Sequence, residues 1–143
     1  MDVVMMAAGR GTRLLPLTAS RPKPMVPLFN VPIVDYLFHE LTKLKVERVF
    51  MLVDYLQEHL MKHCGDGSKY GMHIGYYTHN EPFGTAGAVN KVVKEIKEPF
   101  MVVSADLMTN ISYKDFVDFH HNKGGVVSMA LSRVDNPCQY GVV

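Results

Sequence analysis

Short apolar runs alternate with amphipathic stretches along this chain, and the alternation predicts its elements. Val3, Val4, Met5, Met6 and Ala7 form a continuous apolar run that ends at Gly9. Such a run suits a strand buried on both faces, as in a parallel sheet. Residues 32–44 place Ile33, Leu37, Leu41 and Leu44 on one helical stripe, with Pro32 in the first turn, where its missing N–H costs little. Further strands are predicted at 48–53, 73–77, 100–104 and 126–131. Further helices are predicted at 56–64, stopped by Gly65, and from Thr85 to Val93. Ser112 is a predicted cap for another helix, with Asp115 in the capping-box position and Gly124-Gly125 ending it. Strands alternating with helices imply βαβ units and a mostly parallel sheet. Between residues 9 and 32, glycine and proline dominate. Pro22, Pro24 and Pro27 forbid a regular helix and predict extended backbone around Lys23. Residues 140–143 read as the start of another strand, so the chain is expected to be part of a longer protein.

Composition narrows the classes. The 143 residues are 48% hydrophobic and 20% charged, with a formal net charge of +1. That is material for one domain with a proper core. It excludes a disordered tail and a nucleic-acid binder that works through bulk charge. Locally the balance differs. Arg10, Arg13, Arg21 and Lys23 face only Asp2 in the first 24 residues, so positive charge gathers where a small anion would be held. Cys64 and Cys138 have no spacing that suggests a disulfide framework or a zinc site, and free thiols fit a reducing cytoplasm. The first apolar run is too short for a signal peptide or membrane span. The expectation is a soluble cytoplasmic protein with no membrane or nucleic-acid partner; homo-oligomerisation is left open.

Candidate chemistry starts at Gly9-Arg10-Gly11-Thr12-Arg13, directly after the first strand. In α/β sheets the ligand crevice lies at the carboxyl ends of the strands. Two glycines there let backbone N–H groups approach phosphate oxygens. A tight strand-to-helix turn would also explain them. No Gly-Lys-Ser/Thr follows, so this is not a P-loop, and Leu14 stands where a dinucleotide fingerprint needs its third glycine, which argues against a nicotinamide-dependent oxidoreductase. Arg13 offers a planar fork suited to two phosphate oxygens. Lys23 lies between two prolines and is either a pre-positioned cation or a solvated surface lysine.

Four features read more plainly as structure. His59 and His63, four apart on a predicted helix beside Cys64, fit a solvated helix face better than a metal site. His120-His121 suit a helix C-terminus. The ten methionines, spread among strands and helices, read as core filler. Tyr76 and Tyr77 must point to opposite faces of their strand, so at most one could meet a ligand.

The run from Ala7 through Leu14, then Pro16-Leu17-Thr18, then Arg21-Pro22-Lys23-Pro24, resembles the signature of the sugar-1-phosphate nucleotidyltransferases. Gly84-Thr85-Ala86-Gly87, Ser104-Ala105-Asp106 and Gln139-Tyr140-Gly141-Val142 extend the likeness over nearly the whole chain, nearest to the mannose-1-phosphate guanylyltransferase branch. The resemblance implies a Rossmann-like three-layer α/β sandwich with a mostly parallel central sheet, of the nucleotide-diphospho-sugar transferase type, C-terminally incomplete. Residues 1–143 would be the N-terminal nucleotide-binding part of the catalytic domain. It further implies transfer from a nucleoside triphosphate, GTP by preference, to a hexose 1-phosphate, mannose 1-phosphate by preference, with Mg²⁺ as cofactor and pyrophosphate released. A glucose-1-phosphate thymidylyl- or uridylyltransferase and a non-catalytic nucleotide-binding regulatory paralogue are the alternatives.

By the same resemblance, Ala7, Ala8, Gly9, Gly11 and Thr12 would bind the nucleotide, with Gly9 and Gly11 placing backbone amides on it. Arg13 would hold the departing pyrophosphate, and Lys23 would contact the α-phosphate and the incoming phosphate. Asp106 would bind Mg²⁺, and the Gly84–Gly87 turn, with Gly84 and Thr85 binding the nucleotide, would pack close to the base and ribose. There are departures. His79 stands where the family often has Gln or Glu near the base, which leaves base preference open. Ala105 replaces a usual glycine, so the Asp106 carboxylate is expected to shift slightly. A Glu-Lys-Pro segment, much of the sugar pocket and a second metal-binding aspartate are not in this sequence, so the chain alone is expected to turn over poorly.

Overall fold

The computed structural model describes residues 1–78, 84–96, 99–136, 138 and 141, with only the backbone at Thr85. The described residues fall into two compact units, 1–110 and 111–143.

The first unit is built on four parallel strands: β1 (Asp2–Met6), β4 (Arg48–Val53), β5 (His73–Thr78) and β6 (Phe100–Ser104). Their spatial order is β5-β4-β1-β6. The chain therefore winds outward from β1 to β5 and then returns to place β6 on the other side of β1. That reversal is a topological switch point, and it lies between the carboxyl ends of β1 and β6. The predicted strands at 48–53 and 100–104 have these bounds, and β5 runs one residue beyond its prediction.

Both faces of the sheet are covered, which is why the strands read as unbroken apolar runs. On one face Val4, Phe50 and Leu52 pack with Ala88 and Val92 of α3 (Gly84–Val92). Alternation sends Val3, Met5, Val49, Met51 and Val53 to the opposite face, where all are buried. The apolar stripe of α1 (Ile33–Lys43), with Val34, Leu37, Phe38 and Leu41, is buried too, as is Leu60 of α2 (Gln57–Cys64). Layers on both sides of a parallel sheet give the expected three-layer α/β arrangement. At the amino ends of the strands, Arg48 and Asp2 occupy directly paired positions. Arg48 Nε donates to Asp2 Oδ1 at 3.0 Å and its Nη2 bonds the other oxygen, a two-pronged link that fastens β1 to β4.

The segment between β1 and α1 is more structured than its prolines predict. Residues 12–14 and 23–25 form single 3₁₀ turns, and β2 (Pro27–Leu28) pairs antiparallel with β3 (Val31–Pro32). Lys23 is thus the first residue of a 3₁₀ turn and not part of an extended stretch. Pro24 at the second position is compatible with this, because the first N–H groups of a helical turn need no partner within it. Pro32 stands just outside α1, in β3 and at the cap position.

His63 departs from the solvated face expected of it. Its Nε2 bonds the carboxylate of Asp35 at 2.8 and 3.0 Å, and Tyr70 Oη donates to the same carboxylate at 2.6 Å. Tyr70 also stacks on Phe38 with centroids 4.1 Å apart. This cluster ties α1, α2 and the turn at 68–70 together, which residues from three separate elements could not announce. No group of metal-ligating side chains is found among the described residues. Tyr76 Oη donates to the Gly65 carbonyl and Tyr77 Oη to Glu95, on opposite faces as alternation requires. Of the methionines, Met5, Met51, Met72 and Met101 are core, whereas Met61, Met108 and Met129 are exposed.

Cys64, at the end of α2, is buried, and burial pushes its thiol up to about 12. Cys138 is exposed. At pH 8 a disulfide reagent is therefore expected to label one thiol per native chain and two after unfolding. Rapid labelling of both in the native state, followed by absorbance, would show that the α2 terminus is not packed in solution.

The second unit holds α4 (Tyr113–Lys123), whose Ser112 cap accepts from the Asp115 amide at 3.2 Å, as the sequence predicts. Gly124, left-handed at φ 63°, ends the helix. His120 in its last turn shares a hydrogen bond of 2.9 Å with Ser128. The strand predicted at 126–131 is not present. Those residues form no ladder among the described residues, and Val126, Val127, Met129 and Leu131 are exposed. An apolar run becomes a strand only beside another strand that takes up its N–H and C=O groups. The predicted start of a strand at 140–143 lies outside the described residues, apart from Gly141.

Candidate phosphate-handling site

The switch point between β1 and β6 opens into a cleft of about 480 Å³. Its floor is the end of β1 and the turn after it: Met6, Ala7, Ala8 and Gly9. The β1 path continues past the strand because the Ala7 amide donates to the Leu52 carbonyl at 2.8 Å. One wall carries Ser104 and Asp106 from the end of β6, and another carries Lys23 and Pro24. Gly84 and Ala88, one turn apart on α3, complete it, so the amino end of that helix borders the cleft. Volumes of this order fit small-molecule sites.

Lys23 Nζ forms an ion pair with Asp106 Oδ2. Ser104 Oγ donates to the other carboxylate oxygen at 2.5 Å. Burial pushes the Asp106 carboxyl up, but the hydrogen bonds from Lys23 and Ser104 outweigh it and hold it below the usual carboxylate range. The carboxylate is therefore ionised at neutral pH. It stands on a rigid base, since the Ala105 amide donates to the Met6 carbonyl at 2.9 Å and Ala105 is fully buried. The site thus presents one cation and one anion in contact, each with a side chain about one-third exposed or less.

Of the residues singled out from the sequence, Ala7, Ala8, Gly9, Lys23, Gly84 and Asp106 come together in the lining. Gly11, Thr12 and Arg13 are not in the lining; they belong to the loop that leads to Lys23, with Arg13 exposed on the 12–14 turn. His79 lies outside the described residues, as does the Thr85 side chain. Sequence reasoning missed Met6, Pro24, Leu52, Ala88 and Ser104 as lining. Leu52 is directly paired with Met6 at the carboxyl edge of the sheet, which its apolar character could not reveal.

A glycine-ended turn after a strand, a paired lysine and aspartate, and a helix amino end border one cleft at the switch point of a parallel α/β sheet, the place where ligands bind in such folds. The comparisons with known proteins make this specific. A family profile described as nucleotidyl transferase matches residues 2–143. The chain belongs to that family. It is 33% identical over 143 residues to mannose-1-phosphate guanylyltransferase of Mycobacterium tuberculosis, covering 99% of this chain and 40% of that protein. It is 32% identical to the bifunctional protein GlmU of Methanococcus maripaludis, covering all of this chain and 32% of that protein. Among solved structures, HddC from Yersinia pseudotuberculosis in complex with GMP-PN superposes with a TM-score of 0.71 at 29% identity, over 83% of this chain and 53% of that one. A putative glucose-1-phosphate thymidylyltransferase from Bacillus anthracis superposes at 0.78, over 85% of this chain and 50% of that one, and at 19% identity it bears on the fold alone. The chain spans about two-fifths of the length of the guanylyltransferase relatives it matches. Among the described residues no helix is long and apolar enough to cross a membrane.

Proposed function

We propose that the chain is the nucleotide-binding part of an enzyme that joins GTP to mannose 1-phosphate, giving GDP-mannose and pyrophosphate. The observation that carries this reading is the Lys23–Asp106 pair beside the Ala7–Gly9 turn at the switch point. The base and sugar rest on likeness: relatives from a bacterium, a plant and an amphibian carry the guanylyltransferase name at 33–35% identity.

In the reaction an oxygen of the sugar phosphate attacks the α-phosphorus of the triphosphate. The bond to the β-phosphate oxygen breaks, and the electron pair leaves with pyrophosphate. Such chemistry asks a protein mainly for positioning and charge neutralisation. Lys23, which lines the cleft, would contact the α-phosphate and the incoming phosphate. Backbone amides after β1 and at the start of α3 offer further donors. Asp106 presents a hard carboxylate oxygen suited to Mg²⁺, which commonly takes one or two carboxylates plus substrate phosphates. When bound, Mg²⁺ would supply neutralisation of the triphosphate charge. Arg13 would hold the departing pyrophosphate.

Calorimetry with GTP, dTTP, UTP and CTP, with and without Mg²⁺, tests the reading. GTP with Mg²⁺ should bind most tightly, and Asp106→Asn should remove most of the gain that Mg²⁺ brings. Binding of none of the four would sink the nucleotide assignment, and a preference for dTTP or UTP would move it to the thymidylyl- or uridylyltransferase alternative. A pyrophosphate-release assay with mannose 1-phosphate is expected to show little turnover by the 143-residue chain. Robust release would show that its own residues suffice for the chemistry.

A further inference from the structure

Thr18 is a buried polar residue in a stretch whose neighbours are exposed: 1% of its surface meets solvent, against 57% for Leu17. Its Oγ1 donates to the Gly11 carbonyl at 2.9 Å. Its methyl Cγ2 and the Lys23 Cβ each lie 3.0 Å from the point where a Cβ on Gly11 would sit. Gly11, Thr18 and the stem of Lys23 therefore converge on one spot. A second fastening comes from the sheet. Tyr55, just past the end of β4, places its hydroxyl 3.3 Å from both the Thr18 and Ala19 carbonyls, where it can donate to either. Neither Thr18 nor Tyr55 lines the cleft.

We propose that Thr18 and Tyr55 are positioning residues that set the spacing between the Gly9–Gly11 amides and the Lys23 ammonium, and so the loop's fit to a triphosphate. The inference rests on the nucleotide reading above. The loop from Gly9 to Lys23 is long, and its two ends must hold one set of phosphates. Left to itself it would sample many separations of those ends, and fixing them would cost entropy at each binding event. The Thr18 hydroxyl ties the middle of the loop to its first limb. Tyr55 ties the middle to the sheet edge, and Lys23 follows only a few residues later. The spacing is thereby set before a ligand arrives.

The test compares Thr18→Val, Thr18→Ser and Tyr55→Phe in the 143-residue chain, using GTP with Mg²⁺ and, separately, guanosine as probes. Valine keeps the shape of threonine and loses the donor; serine keeps the donor. Thr18→Val is expected to weaken GTP binding about tenfold, a loss on the scale of one hydrogen bond. Tyr55→Phe is expected to weaken it several-fold. Thr18→Ser should stay within about twofold of the unaltered chain, and all three should leave weak guanosine binding, read by saturation-transfer NMR, unchanged. Equal losses for GTP and guanosine would mark a merely structural role and overturn the proposal. So would unchanged GTP affinity in both Thr18→Val and Tyr55→Phe while the unaltered chain binds normally. Failure of the unaltered chain to bind GTP would remove the nucleotide reading itself, and this inference with it. Should Thr18→Val fold poorly, Tyr55→Phe carries the test by the same criteria, since its hydroxyl can be removed without touching the loop's packing.

Discussion

Lys23→Met is expected to lower the affinity for GTP with Mg²⁺ about 100-fold while leaving the fold intact. Methionine keeps the unbranched stem that packs on Gly11 and removes only the charge. The ammonium is held by Asp106, and both side chains are partly exposed, so that pair contributes little to stability, on the order of 1 kcal/mol or less. A triphosphate offers a stronger partner. Charge-assisted hydrogen bonds to phosphate contribute roughly 1.5–3 kcal/mol, and about 2.7 kcal/mol corresponds to a hundredfold change in affinity. On the proposed function, Lys23 exchanges Asp106 for phosphate when the nucleotide binds. Losing the lysine removes this attraction and leaves an unpaired anion facing the phosphates. Calorimetry measures the affinity and thermal unfolding the fold. A loss of less than about threefold, with the melting temperature unchanged, would take Lys23 out of the phosphate site.

The strands of the first unit were legible because both faces of their sheet are buried, so each reads as an apolar run with sharp ends. Helices α1, α2 and α4 were legible from a stripe, a stop at Gly65 and a Ser112 cap. What escaped reading depends on contacts across space. The β2–β3 hairpin has two residues per strand, too few for any period to register. The turn at Lys23 needs Pro24 in a helical first turn, and the surrounding prolines argue as well for extended backbone. The Asp35–His63–Tyr70 cluster joins residues from three separate segments. Residues 126–131 carry the apolar signal of a strand but have no partner among the described residues, and a pattern cannot supply the neighbour that a ladder requires. The site followed the same division. Gly9, Lys23 and Asp106 could be picked out by residue type and motif. Their meeting in one cleft depends on β6 returning beside β1, which no local pattern encodes. Leu52 and Ala88 look like core residues because they are; only their place at the carboxyl edge also makes them lining.

Gly11 and Gly9 separate the two things a phosphate loop needs, and alanine at each should fail in a different way. Gly11 is left-handed at φ 64°, where an L-residue costs roughly 1–2 kcal/mol. A methyl group there would also press at 3.0 Å on Lys23 Cβ and the Thr18 methyl. Neither can swing away as a flexible chain end could, so overpacking adds about 1 kcal/mol or more. Gly11→Ala is therefore expected to cost about 2–3 kcal/mol, a fall in melting temperature of roughly 6–15 °C for a chain of this size. GTP binding should fall with it, because the atoms displaced belong to the Lys23 stem. Gly9 has no left-handed φ, and a Cβ on it would meet nothing within 4 Å. Gly9→Ala should melt within about 2 °C of the unaltered chain, since a change at an unstrained open position lies within about 0.5 kcal/mol. Yet Gly9 lines the cleft, so the added methyl keeps phosphate oxygens from the amides and should weaken GTP about tenfold or more. Thermal melts read beside GTP titrations give the answer. If Gly9→Ala binds GTP normally, the turn after β1 does not touch phosphate. If Gly11→Ala melts normally, the convergence of Gly11, Thr18 and Lys23 does not hold the loop in solution.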